Sequence, residues 1–195
     1  TIISELNQNI LVKKNVLVIG PGLGKNFDCD IIIELIRKFN GPIIIDADAI
    51  SNFENDRERF KNILRKKKKV LLTPHSGEFK KIFEYSKNNK ILDCLKASKS
   101  ISNSVIYKGN DTTVVFPDES VWLNEGASVN LATAGSGDIL CGMIAGLMAQ
   151  KMSFKRSILA SLYIQNQLSK IEECVIAEDF LTNIPRVLHA IKNNN

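Results

Sequence analysis

Three short apolar runs, Val16-Leu-Val-Ile19, Ile43-Ile-Ile45 and Val70-Leu-Leu72, each end in a polar turn and lead into a helix-like stretch. Continuous apolar runs of this length mark strands buried on both faces of a parallel sheet. Strand, turn and helix recurring three times argue for an open parallel sheet with right-handed crossovers. Ligands of such sheets bind at the carboxyl ends of the strands. The turns Gly20-Pro-Gly-Leu-Gly24, Asp46-Ala-Asp48 and Thr73-Pro-His-Ser-Gly-Glu78 therefore belong to one polar, ligand-facing edge.

The remaining elements follow in order. Helices are expected from about Asp28 to Phe39, ended by Gly41-Pro42, and from Arg57 to Lys66. A third runs from about Leu92 to Ile101 and precedes the strand Val105-Ile-Tyr107. Val114 to Phe116 and Val121 to Leu123, on either side of Pro117-Asp-Glu-Ser120, read as an antiparallel hairpin packed by Trp122. Helices from Lys155 to Glu172 and from Ala177 to Ile191 close the chain, with Asn193 to Asn195 as a frayed tail. Ile2 to Leu11 has helical spacing, and the start at Thr1 rather than Met, part-way into that stretch, points to a fragment or to missing residues. The 195 residues form one expected domain, with no internal repeat or interdomain linker.

Composition narrows the class of protein. An apolar content of 44% with 24% charged residues is ordinary for a soluble globular chain. No apolar run reaches membrane-spanning length and nothing resembles a signal peptide, so a cytoplasmic protein with no membrane partner is expected. Cys29, Cys94, Cys141 and Cys174 are scattered without metal-ligand spacing, which fits reduced thiols. The net charge of +5 suits an anionic small substrate such as a nucleotide. Arg65-Lys-Lys-Lys-Lys69, its densest basic run, has no interleaved aromatics and reads as a helix end, where cations also suit the dipole, and not as a nucleic-acid site.

The chemistry concentrates in Asn130-Leu-Ala-Thr-Ala-Gly-Ser-Gly-Asp138 and the apolar stretch that follows it to Gln150. Small residues entering a buried helix read as a tight loop whose unpartnered amides, with the helix dipole, suit an anion. A carboxylate at that place repels a phosphate, so Asp138 either caps the helix or takes a proton from the group that attacks phosphorus. A side chain at Gly135 or Gly137 is expected to block the approach of a phosphate while leaving the fold largely intact. Gly20 to Gly24 lacks the spacing of a dinucleotide fingerprint and reads as a tight turn whose backbone can line a pocket. Asp46 and Asp48 fall on opposite faces of a continued strand, which favours supporting roles over a shared metal. His75 and Glu78, three residues apart, meet on one side of a following helix. There Glu78 either serves the first turn or holds Mg²⁺ through water. Lys108-Gly-Asn-Asp-Thr112 offers a cation and a hydroxyl at a strand end, fit for phosphate contacts or for a surface turn.

Taken together, Gly20-Pro-Gly-Leu-Gly24, Asp46-Ala-Asp-Ala49, Leu72-Thr-Pro-His-Ser-Gly-Glu78, Tyr107-Lys-Gly109 and Ala132-Thr-Ala-Gly-Ser-Gly-Asp138 occur in one order from about Val16 to Pro185. In this the chain closely resembles the NAD(P)H-hydrate dehydratases of the ribokinase-like superfamily. The resemblance implies a three-layer α/β/α sandwich with a mostly parallel central sheet. It implies a lyase that restores NADH or NADPH from the S epimer of the hydrated form, driven by a nucleotide. The nucleotide is ADP in bacterial-type members and ATP in eukaryotic ones, and the form His75-Ser-Gly-Glu78 looks bacterial. Carried over by motif, Gly22, His75 and Asp138 contact the hydrated nicotinamide, with Asp138 as general base. Lys108, Gly109, Asn110, Asp111 and Thr112, with Gly135, Ser136 and Gly137, contact the nucleotide, whose phosphates Mg²⁺ bridges. The resemblance also suggests a homo-oligomer, possible as a tetramer. Two departures stand out: Ala134 where the family has glycine, and no counterpart of a further N-terminal portion that supplies part of the family's substrate pocket. A small-molecule kinase for a vitamin precursor, or a catalytically silent nucleotide-binding module, would share the same glycine loop.

Overall fold

The computed structural model describes residues 11–86, 88–126, 128, 131, 133–172 and 176–193. The helix expected over Ile2 to Leu11, Cys174, Ala132 of the glycine motif and the last two residues of the expected tail therefore fall wholly or almost wholly outside the described residues. The chain divides into two compact units, Thr1–Leu123 and Asn124–Asn195.

The first unit is built on a six-stranded sheet ordered β1 (Leu17–Ile19), β2 (Ile43–Ile45), β3 (Val70–Leu72), β4 (Ser104–Tyr107), β5 (Thr112–Val115) and β6 (Val121–Asn124). Strands β1 to β4 are parallel, with Leu17 opposite Ile43, Ile43 opposite Val70 and Leu72 opposite Val105. Their carboxyl ends therefore share one edge, as the repeated strand-and-turn pattern predicts. β5 turns back antiparallel to β4, pairing Ile106 with Val114, so the sheet is mixed. β5 and β6 are neighbours, as in the expected hairpin, but β5 also extends β4.

Burial explains the apolar runs. Ile43, Ile45, Val70, Leu72, Val105 and Val115 join one core with side chains of α1 (Cys29–Lys38), α3 (Arg57–Arg65) and α5 (Lys90–Ile101). The alternate residues Ile44, Leu71, Ile106 and Val114 are fully buried too, so both faces of the central strands are covered. Each of these helices carries its own local signals. Asp28 caps α1 by accepting from the Asp30 amide, and Asn89 caps α5 by accepting from the Leu92 amide. α3 places Phe60, Ile63 and Leu64 on its inner face, where Phe60 stacks on Phe53 at 4.3 Å. The short helices α2 (Asp48–Ser51) and α4 (Ser76–Ile82) begin directly at the polar turns.

The basic run serves helix ends. Lys67 Nζ donates to the Arg37 and Phe39 carbonyls at the end of α1, and Arg65 Nε donates to the Ser100 carbonyl near the end of α5. These are the unpaired carbonyls a helix terminus leaves, satisfied by cations that also suit its dipole.

The second unit contains α6 (Ser136–Ala149), α7 (Phe154–Ser169) and α8 (Ala177–Asn193), the last with Pro185 inside it. Their core is Ile139, Ile164, Leu168, Phe180 and Val187. No helix among the described residues is long and apolar enough to cross a membrane.

Candidate active site

At the carboxyl edge of the first unit the backbone continues the sheet's bonding into the turns. The Asp46 amide donates to the Ile19 carbonyl, the Thr73 amide to Ile45, and the Lys108 amide to Pro74. This aligns the starts of the four turns at this edge. Gly20 is required here: its φ is +130°, and a Cβ would lie 1.7 Å from the Asp46 carbonyl oxygen. Gly22 has open space around it and φ of +72°. Asp48 accepts from the Gly24 amide at 2.9 Å and Asn52 bonds both Asn26 and Gly24, so α2 holds the Gly20–Gly24 turn in place.

His75 and Glu78 form a closed reciprocal cap on α4. His75 Nδ1 accepts from the amides of Gly77 at 2.9 Å and Glu78 at 3.3 Å. Glu78 Oε2 accepts from the His75 amide at 2.9 Å, and Oε1 lies 3.3 Å from His75 Nε2. This is a capping box with histidine in the serine position. Burial pushes the Glu78 carboxyl above its ordinary range, against the pull of the His75 N–H and the Lys108 cation, while Asp46 adds to the rise. Phe79 stacks on Tyr107 at 4.2 Å and so ties α4 to the end of β4.

Lys108 Nζ lies 2.7 Å from Asp46 Oδ1, across the end of β3. The Asp46 side chain is 2% exposed and that of Lys108 20%, so this pair is mostly removed from water. Beyond Lys108 the loop folds on itself: Thr112 Oγ1 donates to the Gly109 carbonyl at 2.9 Å and accepts from its amide at 3.3 Å. Lys90 Nζ donates to the Asp111 carbonyl and carboxylate at 2.6 and 2.8 Å, and sits 4.8 Å from the Tyr107 ring. That ammonium holds the Asp111 carboxyl below its ordinary value. Asn110 is an exposed residue of the same loop. Of these supports, Asp46 carries a sequence signal, a carboxylate ending a buried strand. Lys90 carries none, since a lysine at a helix start has no pattern to mark it. Gly77, whose place under the His75 ring allows the cap, reads as part of the motif without showing why.

The second unit holds the glycine loop. Gly135 is the N-cap of α6 with φ of +86°, and it brings no side chain to the helix start. A Cβ on Gly135 would meet the Ala177 Cβ at 3.0 Å, so a bulky residue there strains the loop locally, which the sequence does not show. Ala134 is not among the described residues with positive φ; the left-handed step falls on Gly135, and Ala134 carries no strain from it. Ser136 Oγ donates to the Leu131 carbonyl at 2.9 Å, and Gln165 Nε2 of α7 donates to the Ser136 carbonyl at 2.8 Å. Gly137 and Asp138 occupy the next two positions of α6, with Asp138 exposed. The structure thus places Asp138 inside the helix's first turn, with the N-cap position taken by Gly135.

The fold belongs to the ribokinase-like class. The Bacillus subtilis ADP/ATP-dependent NAD(P)H-hydrate dehydratase co-crystallised with ATP and Mg²⁺ shares it at a TM-score of 0.75 and 23% identity, over 92% of this chain and 66% of that one. Thermotoga maritima ribokinase shares it at a TM-score of 0.61 and 16% identity, over 94% of this chain and 60% of that one. The family model for NAD(P)H-hydrate dehydratase matches residues 3–180, and the chain belongs to that family. Among its relatives, the bifunctional NAD(P)H-hydrate repair enzyme of Gloeobacter violaceus is 31% identical over 157 residues, 78% of this chain and 30% of that protein. The ADP-dependent (S)-NAD(P)H-hydrate dehydratase of Neisseria meningitidis is 34% identical over 142 residues, 70% of this chain and 48% of that protein. This chain spans about a third of the length of the bifunctional relatives it matches.

Proposed function

We propose that this chain repairs (S)-hydrated NADH and NADPH by nucleotide-dependent dehydration, with ADP giving AMP and phosphate. The observation that carries the reading is the start of α6, where Gly135 gives the N-cap no side chain and Asp138 stands exposed within the first turn. In this reading the Asp138 carboxylate accepts the proton of the ring hydroxyl as that oxygen forms a bond to the terminal phosphorus of the nucleotide. The bond from that phosphorus to its bridging oxygen breaks, and AMP departs. Amides around Gly135 to Gly137 and the positive end of the helix oppose the charge that gathers on the phosphoryl group. The C–O bond then breaks with release of phosphate, the ring nitrogen's lone pair assists, and loss of a proton from the adjacent carbon restores the double bond. Gly22 and His75 hold the hydrated nicotinamide, and Lys108 to Thr112 hold the nucleotide together with Gly135, Ser136 and Gly137.

Glu78 would hold Mg²⁺ through water, and the ion would supply neutralisation of charge on the phosphates. One carboxylate with retained waters suits that ion, and the described residues contain no group of three His, Cys, Asp or Glu placed to cage a metal. ADP is favoured as co-substrate by the name of the Neisseria meningitidis relative, and ATP by the nucleotide in the Bacillus subtilis crystals. We take both units as one ribokinase-like catalytic domain over 1–195, supported by a family match that runs through both. The reading extends to a cytoplasmic homo-oligomer, with a tetramer as one form, and no nucleic-acid partner; thiols outside any disulfide at Cys29 and Cys94 support a reducing compartment.

Turnover of enzymatically hydrated NADH with ADP and ATP in parallel, followed at the reduced-nicotinamide absorbance and by phosphate release, tests the proposal. A phosphorylated product from a panel of small alcohols, with no phosphate released from hydrated NADH, would make the chain a small-molecule kinase. Nucleotide binding without either turnover would make it a silent module.

A further inference from the structure

The reciprocal bonds at the start of α4 determine more than where that helix begins. A neutral imidazole has one N–H and one acceptor nitrogen, and the hydrogen bond made by one nitrogen decides the state of the other. His75 Nδ1 accepts from two backbone amides, at 2.9 and 3.3 Å, so the ring proton belongs on Nε2. Glu78 stands beside the same ring. Its Oε2 accepts from the His75 amide at 2.9 Å, and its Oε1 lies 3.3 Å from Nε2, near enough for its negative charge to favour a proton on that nitrogen without taking that proton in a hydrogen bond. Gly77 makes the arrangement possible: a Cβ there would stand 2.8 Å from the ring Cε1 and 3.2 Å from Nδ1. The His75 side chain nevertheless stays 59% exposed, so the ring is oriented without being enclosed.

We infer that Glu78 and Gly77 are positioning residues that hold His75 as an Nε2–H donor, so that the group His75 meets on a ligand is an acceptor oxygen. This rests on the reading of His75 as a substrate contact. The carbonyl of a carboxamide or the oxygen of a ring hydroxyl fits that demand, whereas a group that offers only N–H does not. Held this way, His75 cannot take a proton through Nε2, and the base role is left to Asp138.

The chain contains two histidines, His75 and His189, so ring-¹⁵N labelling with a His189→Gln variant assigns both spectra. With the ring neutral, His75 is expected as the Nε2–H form alone. Gly77→Ala, which removes no charge, and Glu78→Gln, which keeps one acceptor oxygen, should each return a mixture of the two forms. An Nδ1–H ring in the wild type, or wild-type ratios in both variants, overturns the inference. A second arm measures KM for hydrated NADH. His75→Leu is expected to raise it about tenfold, the scale of one lost hydrogen bond, and His75→Gln, which keeps an N–H donor, to recover most of that loss. A His75→Gln variant as impaired as His75→Leu overturns the donor role. An unchanged KM in His75→Leu instead removes His75 from the substrate site, a failure of the functional reading that the spectrum reports separately.

Discussion

Two of the helices that begin at polar motifs, α4 and α6, start in opposite ways. α4 is closed by the protein itself: the His75 ring takes the amides of Gly77 and Glu78, and the Glu78 carboxylate returns to the His75 amide. α6 begins at a left-handed glycine that contributes no side chain. A closed helix start spends its donors on stability and gives the turn a fixed shape. A start without a capping side chain gives up about 1 kcal/mol of local stability and keeps its amides available for an anion. In this chain the closed start orients a ring, and under the proposed function the start without a capping side chain takes the phosphate. The contrast also separates two carboxylates that look alike in sequence, each sitting three residues into its motif. Glu78 is buried within α4's first turn, while Asp138 is exposed within α6's.

The largest expected effect tests that contrast directly. Asp138→Asn keeps the size of the side chain and one acceptor oxygen, but the amide cannot accept a proton. The turnover number should fall roughly 10²- to 10⁴-fold, equivalent to about 3–5 kcal/mol in the barrier. Thermal stability should shift by no more than a lost cap, at most about 1 kcal/mol, and nucleotide affinity should hold or tighten as a negative charge leaves. Turnover within a factor of a few of wild type would reduce Asp138 to a helix-start residue like Glu78 and erase the difference.

Next in size is the pair behind the 108–112 loop. Lys108→Met leaves the Asp46 carboxylate, 2% exposed, without its cation, and should destabilise the first unit by about 3 kcal/mol. Adding Asp46→Asn to Lys108→Met should restore much of that loss, because the buried charge is gone. A double-mutant cycle in urea reads the coupling. Strictly additive losses would mean that the two side chains are neighbours without being partners.

How much of this was legible in the sequence depends on whether a feature is local. β2 and β3, with their carboxyl-edge turns, follow from apolar runs and turn residues, which act on the chain nearby. The cores of α1 and α3 follow from helical spacing in the same way. The antiparallel return of β5 onto β4 was not legible, since register between strands is set by tertiary pairing. For the candidate site, the motifs can be read in the sequence, but the contacts among their residues cannot. That histidine could cap α4 is absent from the usual Ser/Thr/Asp/Asn signals. That Lys108 would be held by Asp46, 62 residues earlier, needs the β2–β3–β4 order to be known first. Lys90 belongs to the same class, a long side chain whose partner lies 21 residues away.

Giving α6 a cap like that of α4 sharpens the comparison at a smaller scale. Gly135→Asn suits the left-handed conformation better than other side chains, though the Ala177 Cβ at 3.0 Å must yield by a few tenths of an ångström. Stability should change by about 1 kcal/mol or less, while nucleotide affinity by titration calorimetry should drop about tenfold as the new side chain competes for the helix-start amides. Unchanged affinity would show that the loop is a turn and not a phosphate site.

The smallest expected effect concerns two carboxylates of the first unit whose responses to pH have opposite signs. Lys90 holds the Asp111 carboxyl below its ordinary value of 3.8. A depressed folded value stabilises the protein above the unfolded one, and that contribution is lost as pH falls through the folded one. Burial raises Glu78 above its ordinary 4.5, so its contribution is complete below that value and is lost as pH rises through the folded one. Urea unfolding between about pH 3 and pH 7 should therefore separate two variants by slope. Lys90→Met should cost less than about 1 kcal/mol, because the Asp111 side chain is 67% exposed and the pair is screened, and the cost should fade toward acid. Glu78→Gln should do the reverse, gaining on the wild type as pH rises, even though its cap is weaker at every pH. Parallel slopes for both variants would mean that the closed start of α4 holds Glu78 by geometry alone, with no charge penalty to relieve.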